Sequence, residues 1–117
     1  MYEKELYGGY VMDRKRIAIE FAKSLKHPEI EKIILYGSVA RGDDTEESDI
    51  DILILTNDED KIEDDVFDIS TNLLLKTNEY ISPMITHIKH YEKYKTTSFY
   101  SNVNKEGIVI GWFRNNI

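Results

Sequence analysis

The chain has 117 residues, 41% of them hydrophobic and 32% charged, with two prolines, a composition typical of a folded globular protein. This length predicts one domain over residues 1–117 and excludes a multi-domain polymerase. Twenty-two acidic against fifteen basic residues argue against direct nucleic-acid binding through a broad basic face. The absence of cysteine excludes disulfides and zinc-thiolate sites. With no membrane-length apolar run and no signal-peptide pattern, the sequence predicts a cytoplasmic protein without a membrane segment.

The first half of the chain alternates between helical and strand patterns. Asp13 is a candidate helix cap, and the helix it begins is predicted to stop at His27-Pro28. Apolar residues at helical spacing form its buried face: Ile17, Ala18, Phe21, Ala22 and Leu25. The branched and aromatic run at residues 32–36 predicts a buried strand, and residues 50–55 predict a second.

The second half begins with a helix predicted over about residues 59–76, where apolar residues recur at helical spacing. Residues 81–86 form a third candidate strand, in which Pro83 lacks an amide donor and so favours an edge position or a strand entry. Residues 88–103 have room for one or two short helices, and residues 107–112 are a candidate final strand. The sequence alone leaves the order of the strands open.

Two carboxylates stand at the head of the second predicted strand, Asp49 and Asp51. Residues two apart in a strand point to the same face, so these side chains project side by side. Unpaired carboxylates repel each other, whereas a hard cation such as Mg²⁺ turns their proximity into a favourable interaction. The pair therefore predicts a divalent-metal site.

A Gly-Ser turn lies ten residues before this pair, at Gly37 and Ser38. A glycine after a buried strand lets backbone amides approach a ligand closely, and the Ser38 hydroxyl can donate to a phosphate oxygen. Arg41 follows one helical turn later. A Gly-Ser turn by itself is most often only a turn, but next to a metal-binding pair it indicates a phosphate cradle.

The pattern of Gly37-Ser38, ten residues and Asp49-Ile50-Asp51 resembles the signature of the nucleotidyltransferase superfamily, which includes polymerase beta and the aminoglycoside nucleotidyltransferases. The short chain is most similar to the minimal nucleotidyltransferases of bacteria and archaea. This resemblance implies an α+β fold, with helices packed on a small mixed β-sheet. It also implies an enzyme that uses Mg²⁺ and a nucleoside triphosphate, with ATP as the favoured substrate.

By the same resemblance, Asp49 and Asp51 are the catalytic residues and metal ligands, and Gly37, Ser38 and Arg41 bind the nucleotide. Minimal members are often paired with a small helical HEPN-domain protein as antitoxin and toxin. Some of them transfer AMP from ATP to a tyrosine of that partner.

The chain departs from this family at one position. Complete members carry a third carboxylate on the strand that lies here at residues 81–86, which reads Ile-Ser-Pro-Met-Ile-Thr. Ser82 takes the corresponding position, and Glu79 lies just before the strand. The missing group ordinarily helps to hold a second metal ion and acts as base, so metal-nucleotide binding is better supported than rapid transfer.

The sequence supports two functions of different classes, an enzyme and a binding module. The first is a nucleotidyltransferase that moves a nucleoside monophosphate onto a hydroxyl of a HEPN-type partner, as the antitoxin of the pair. The alternative is a catalytically weak or inactive nucleotide-binding module that neutralises a partner by direct binding. Transfer to a small molecule is disfavoured, because enzymes of that kind carry a further substrate-binding domain. The identities of the base and the accepting hydroxyl stay open, as does oligomerisation.

Residues outside the motif have simpler interpretations. His87 and His90 are close enough to share one helical face, but a metal site there is the less favoured interpretation. A cluster of aromatic residues in the last third is more typical of core or rim packing than of an interface: Tyr91, Tyr94, Phe99 and Tyr100.

Overall fold

The computed structural model describes residues 6–7, 10–11 and 13–111. Within these ranges the chain forms six strands and five helices. In chain order they are β1 (Leu6–Tyr7), β2 (Tyr10–Val11), α1 (Arg14–Ser24), β3 (Ile30–Tyr36), α2 (Gly37–Arg41), β4 (Ile50–Thr56), α3 (Glu59–Thr77), β5 (Ile81–His87), α4 (Ile88–Tyr94), α5 (Ser98–Glu106) and β6 (Ile108–Gly111).

Four strands form a mixed sheet in the order β5-β4-β3-β6, and β1 and β2 pair with each other in a separate two-stranded sheet. β4 and β5 are parallel, while β3 is antiparallel to both β4 and β6. Parallel neighbours need a crossover connection, which α3 supplies. β5 lies at the edge of the sheet, where Pro83 without an amide donor is tolerated. The predicted α+β fold with a small mixed sheet is confirmed.

One face of the sheet carries the larger hydrophobic core. All five apolar positions predicted for α1 are buried, and they pack with α3 and with isoleucines of β3 and β4, such as Ile33 and Ile52. Each fully buried large apolar side chain contributes about 1.5–3 kcal/mol relative to an exposed one. This core fixes the strands whose ends carry the predicted motif.

The opposite face carries a smaller core. Leu53 and Leu55 of β4 pack there with Tyr100 and Val103 of α5, and α4 adds partly buried residues. Side chains alternate between the two faces along a strand, so Asp51 shares this face with Leu53. Asp51 is half-buried, at the end of β4 where this smaller core stops.

The predicted start of α1 is confirmed and its predicted end is wrong. The Asp13 carboxylate accepts the Arg16 backbone N–H at 2.8 Å, as a helix cap does. The chain leaves the helix already at Leu25, which has an extended backbone, two residues before His27. The side chain of Leu25 is fully buried, so the core holds this residue although it is not helical.

Other boundaries differ from the predicted ones by a few residues. β3 begins at residue 30 instead of 32, because the buried Ile30 already pairs with Thr56 of β4. Residues 88–103 contain two helices, the second of which continues to residue 106. The predicted final strand forms at residues 108–111, and Trp112 lies outside the described residues. Within the described ranges, none of the helices has the length and apolar character needed to cross a membrane.

Candidate functional site

Tyr36, Asp51 and Ser82 lie in one row across three neighbouring strands. Tyr36 at the end of β3 pairs in register with Asp51 of β4, and Asp51 pairs in register with Ser82 of β5. Residues in register on adjacent strands point to the same face of a sheet. The Asp51 carboxylate is therefore flanked by a phenol on one side and by a hydroxyl on the other.

The charges of Asp49 and Asp51 act on each other. Asp49 is exposed and precedes β4 by one residue, whereas Asp51 is half-buried within the strand. Burial raises the pKa of the Asp51 carboxyl above its ordinary value, the charge of Asp49 raises it further, and the charge of Arg41 lowers it. The structure thus brings the two predicted carboxylates together at the head of β4.

This arrangement fits a divalent cation. A cation bound by both carboxylates offsets their mutual repulsion and the desolvation of Asp51, the two effects that raise its pKa. Mg²⁺ in proteins is commonly held by one or two carboxylates, and it keeps waters or takes phosphate oxygens as its other ligands. The pair therefore suits Mg²⁺ that arrives with a nucleoside triphosphate.

Gly37 brings the backbone directly against Asp51. Its φ is +78°, a conformation that residues with a side chain rarely adopt. A Cβ at this position would lie 3.2 Å from the carboxyl carbon of Asp51, and closer still to its Oδ2. Only glycine leaves room here for the carboxylate, so the glycine of the motif is required by the carboxylate as well as by the turn.

Ser38 lies in the first turn of α2. Its carbonyl oxygen accepts the backbone N–H groups of Gly42 at 2.9 Å and Asp43 at 3.1 Å, which close this short helix. Ser38 as a whole is partly exposed. The first backbone N–H groups of a helix have no acceptor within that helix. No side chain caps the start of α2, so these N–H groups are the kind of donor that a phosphate oxygen requires.

Arg41 lies on the rim of this region. Its Nη1 donates to Glu106 Oε1 at 2.8 Å, and its Nε donates to Asp43 Oδ2 at 3.2 Å. Arg41 thus connects α2 to the end of α5 while its charge acts on Asp51. To contact a nucleotide as predicted, Arg41 has to exchange these two ion pairs for contacts with the nucleotide. Surface ion pairs contribute little to stability, so this exchange costs little.

Neither Ser82 nor Glu79 provides a third carboxylate. Ser82 is the β5 residue in register with Asp51, and its side chain carries a hydroxyl in place of a carboxylate. Glu79 is only 5% exposed, and its Oε1 accepts the Nε–H of the buried Arg14 at 2.9 Å. Removing Glu79 from that pair would leave a buried arginine without this carboxylate, which is costly.

His90 and the aromatic residues of the last third pack at the rim of the smaller core. The His90 Nδ1 lies 2.9 Å from the Tyr100 hydroxyl, and its ring contacts Tyr94 with centroids 4.8 Å apart. Tyr100 is buried, while Phe99 is 40% exposed and packs edge-on against Tyr36. Among the residues that the structure describes, no group of three or more His, Cys, Asp or Glu is arranged to hold a metal ion.

Sequence reasoning missed two residues near the site, Arg14 and Tyr36. Arg14 shares the helical spacing of Ile17 and Phe21, and a charged residue on an apolar helix face is a signal for a buried partner. Tyr36 precedes Gly37 and faces Asp51. Burial raises the pKa of its hydroxyl, and the charge of Asp51 raises it further.

Comparison with known proteins found two relatives from Methanocaldococcus jannaschii. The protein named "Putative protein adenylyltransferase MJ0604" is 44% identical over 102 residues, which cover 85% of this chain and 99% of the relative. "Putative protein adenylyltransferase MJ0141" is 34% identical over 104 residues, which cover 85% of this chain and 100% of the relative.

A solved structure described as "Crystal structure of the toxin-antitoxin with AMP-PNP" has the same fold. Its TM-score is 0.55 at 18% sequence identity, with 86% of this chain and 74% of that chain covered. The family model described as "Polymerase beta, Nucleotidyltransferase" matches residues 19–111, which include β3, α2, β4 and the whole Gly-Ser and Asp-x-Asp pattern. By this match and by the identity to its relatives, the chain belongs to the polymerase beta nucleotidyltransferase family.

Proposed function

We propose that this nucleotidyltransferase binds Mg-ATP and transfers AMP to a hydroxyl of a partner protein, a small helical HEPN-type toxin, as the antitoxin of the pair. The observation that carries the proposal is the half-buried Asp51, backed by Gly37 and repelled by Asp49. The names of the two relatives, which specify protein adenylyltransferases, support the substrate class. The toxin-antitoxin structure with AMP-PNP supports the biological setting.

In this proposal the residues act by position and charge. The backbone at Gly37 and the Ser38 hydroxyl hold the triphosphate, and Arg41 adds positive charge at the rim. Asp49 and Asp51 hold Mg²⁺, which neutralises phosphate charge when bound. The acceptor hydroxyl loses its proton to solvent and its oxygen forms a bond to the α-phosphorus, while the bond from that phosphorus to the bridging oxygen breaks and pyrophosphate leaves. Such in-line transfer depends on alignment and electrostatics more than on covalent help from the protein.

A second candidate function rests on β5. Ser82 stands beside Asp51, where a carboxylate would otherwise accept the proton of the attacking hydroxyl, and Glu79 is engaged with Arg14. A module that neutralises its partner by direct binding transfers little or no AMP. It therefore needs the Mg-ATP site but has no need of that base. The two functions share the nucleotide site and differ in turnover.

Incubation with labelled ATP tests the proposal. The purified protein, Mg²⁺ and the product of the neighbouring reading frame are mixed with ATP labelled at either the α- or the γ-phosphate. AMP transfer predicts label on the partner from the α-position and none from the γ-position, with no reaction in EDTA. Stable complex formation without α-label would favour the binding module. If Mg-ATP failed to bind at all, both functions would be excluded.

A glycine substitution tests the cradle with a matched control. We expect Gly37→Ala to weaken Mg-ATP binding by roughly 10–100-fold, because the new Cβ displaces the Asp51 carboxylate. Gly42→Ala is the control: Gly42 also has a positive φ, +85°, but a Cβ there meets no heavy atom within 4 Å. The control should lose about 1 kcal/mol of stability and keep its affinity in calorimetry. Equal affinities for the two variants would show that the close approach at Gly37 is irrelevant to binding.

A further inference from the structure

Arg14 is a buried arginine that binds two distant segments of the chain. It lies at the start of α1 and is 8% exposed. Its Nε donates to Glu79 Oε1, just before β5, and its Nη2 donates to the Glu46 carbonyl oxygen at 2.9 Å. Its Nη1 donates to the Asp44 carboxylate at 3.1 Å and to the Thr45 carbonyl oxygen. One guanidinium thus fixes both segments against α1.

Both segments lead directly to the metal-binding pair. The loop of residues 43–48 connects α2 to Asp49, and it is closed by a hydrogen bond from the Ser48 backbone N–H to the Thr45 carbonyl oxygen at 3.0 Å. On the other side, the residue after Glu79 is Tyr80, whose carbonyl oxygen accepts the Ile50 N–H at 2.9 Å. Arg14 therefore holds two segments in place. One is the loop before Asp49, and the other is the segment before β5, which accepts the hydrogen bond of Ile50, the residue after Asp49.

The loop has an electrostatic reason to need such a contact. It carries four carboxylates, at Asp43, Asp44, Glu46 and Glu47, next to Asp49. Like charges at this density favour an expanded loop. A buried guanidinium that binds two of its carbonyl oxygens and one of its carboxylates opposes that expansion, and the planar fork can satisfy several acceptors in fixed directions.

We propose that Arg14 is a positioning residue for the metal site: it holds Asp49 beside Asp51 before the nucleotide arrives. The proposal rests on the proposed Mg-ATP site, which Arg14 itself does not touch. Residues that orient metal ligands through a second layer of contacts typically change metal affinity by 10–100-fold when replaced. Arg14 therefore sets the concentration of Mg²⁺ at which ATP binds.

The test compares Arg14→Lys with Arg16→Lys in the full chain. Lysine keeps the charge but loses the planar fork, and Arg16 is exposed on the same helix, so its variant controls for the substitution. Hydrogen exchange of residues 43–50 without nucleotide reports loop order. We expect faster exchange there for Arg14→Lys only, while the amides of β3 stay protected.

Calorimetry at increasing Mg²⁺ gives the second measurement. For Arg14→Lys we expect the half-saturating Mg²⁺ for ATP binding to rise by about tenfold or more, with full occupancy restored at high Mg²⁺. If Arg14 only stabilised the fold, its replacement would instead lower the fraction of protein that is able to bind ATP, at every Mg²⁺ concentration. If Arg14→Lys did not fold, Asp44→Asn, at the partly exposed end of the contact, should give a smaller shift in the same direction.

The outcomes separate this proposal from the proposed function. Unchanged loop exchange in Arg14→Lys would overturn the positioning role, whatever the nucleotide does. Faster exchange with an unchanged half-saturating Mg²⁺ would also overturn it, because the loop would then have no influence on the metal site. Failure of the wild-type protein to bind Mg-ATP would instead remove the proposed function, and with it the metal site that Arg14 is proposed to position.

Discussion

Asp51→Asn is expected to remove Mg²⁺-dependent ATP binding, with a loss of roughly 100-fold or more in affinity. The amide has the same shape as the carboxylate but lacks the charge that a hard cation requires. The substituted side chain would still fit against Gly37, so the effect is electrostatic and not steric. Isothermal calorimetry with Mg-ATP measures it. Glu47→Gln is the matched control, since it makes the same charge change on an exposed residue of the adjacent loop.

The same variant should be at least as stable as the wild-type protein without metal. Because the pKa of Asp51 is raised in the folded state, its contribution favours folding at low pH and is lost as the pH rises through that raised pKa. Where the wild-type carboxylate is ionised, burial and the charge of Asp49 disfavour that charge, whereas the variant carries a neutral amide at every pH. We expect an unchanged or higher Tm for the apo variant, with a flatter dependence on pH in the acidic range.

Protons and Mg²⁺ compete for Asp51, so wild-type Mg-ATP affinity should fall as the pH is lowered through its raised pKa. The metal assignment would be wrong if Asp51→Asn showed the wild-type increase in Tm on addition of Mg-ATP. It would also be wrong if Glu47→Gln lost binding to the same degree, since the effect would then belong to the net charge of the region.

Ser82→Asp is expected to accelerate AMP transfer by about 10²–10⁴-fold, the usual contribution of a general base. Ser82 is exposed and stands in register with Asp51, so a carboxylate there faces the metal pair without entering the core. It can accept the proton of the attacking hydroxyl and add a ligand for a second ion. The rate of α-label transfer to the partner, at saturating Mg-ATP, measures the gain.

Ser82→Asn is the control, because it matches aspartate in size and brings no base. A folded Ser82→Asp variant that binds Mg-ATP and transfers label no faster than the wild-type protein would mean that Ser82 is not the vacant position or that transfer is not this protein's task. Equal acceleration by Ser82→Asn would point to a steric cause.

The parts of the molecule that were predictable from sequence are those set by local rules. The spacing of Ile17 and Phe21 identified the buried face of α1, and Pro83 limited β5 to an edge position or a strand entry, of which the structure shows the edge. The alternation of side chains placed Asp49 and Asp51 together, and their electrostatic coupling agrees with that placement. These inferences needed only the geometry of one helix or one strand.

What sequence reasoning missed depends on contacts between distant elements. Glu79 could take the place of the third acid only if β5 began earlier than predicted, but β5 begins at residue 81 and the structure pairs Glu79 with Arg14, 65 positions earlier. No local pattern identifies which buried charge a carboxylate will meet. Likewise, the proximity of Tyr36 to Asp51 follows from the register of β3 against β4, which the sequence left open.

The pairing of Arg14 with Glu79 also has a consequence for the order of folding. The pair closes a loop of 65 positions, and β5 joins β4 only after α3 has crossed over, so both contacts are slow to form. A nascent chain that has not yet emerged past residue 79 lacks both the carboxylate for Arg14 and the neighbour strand of Asp51. Under the proposed function, the Mg-ATP site is therefore complete only after residue 79 has emerged and β5 has joined the sheet.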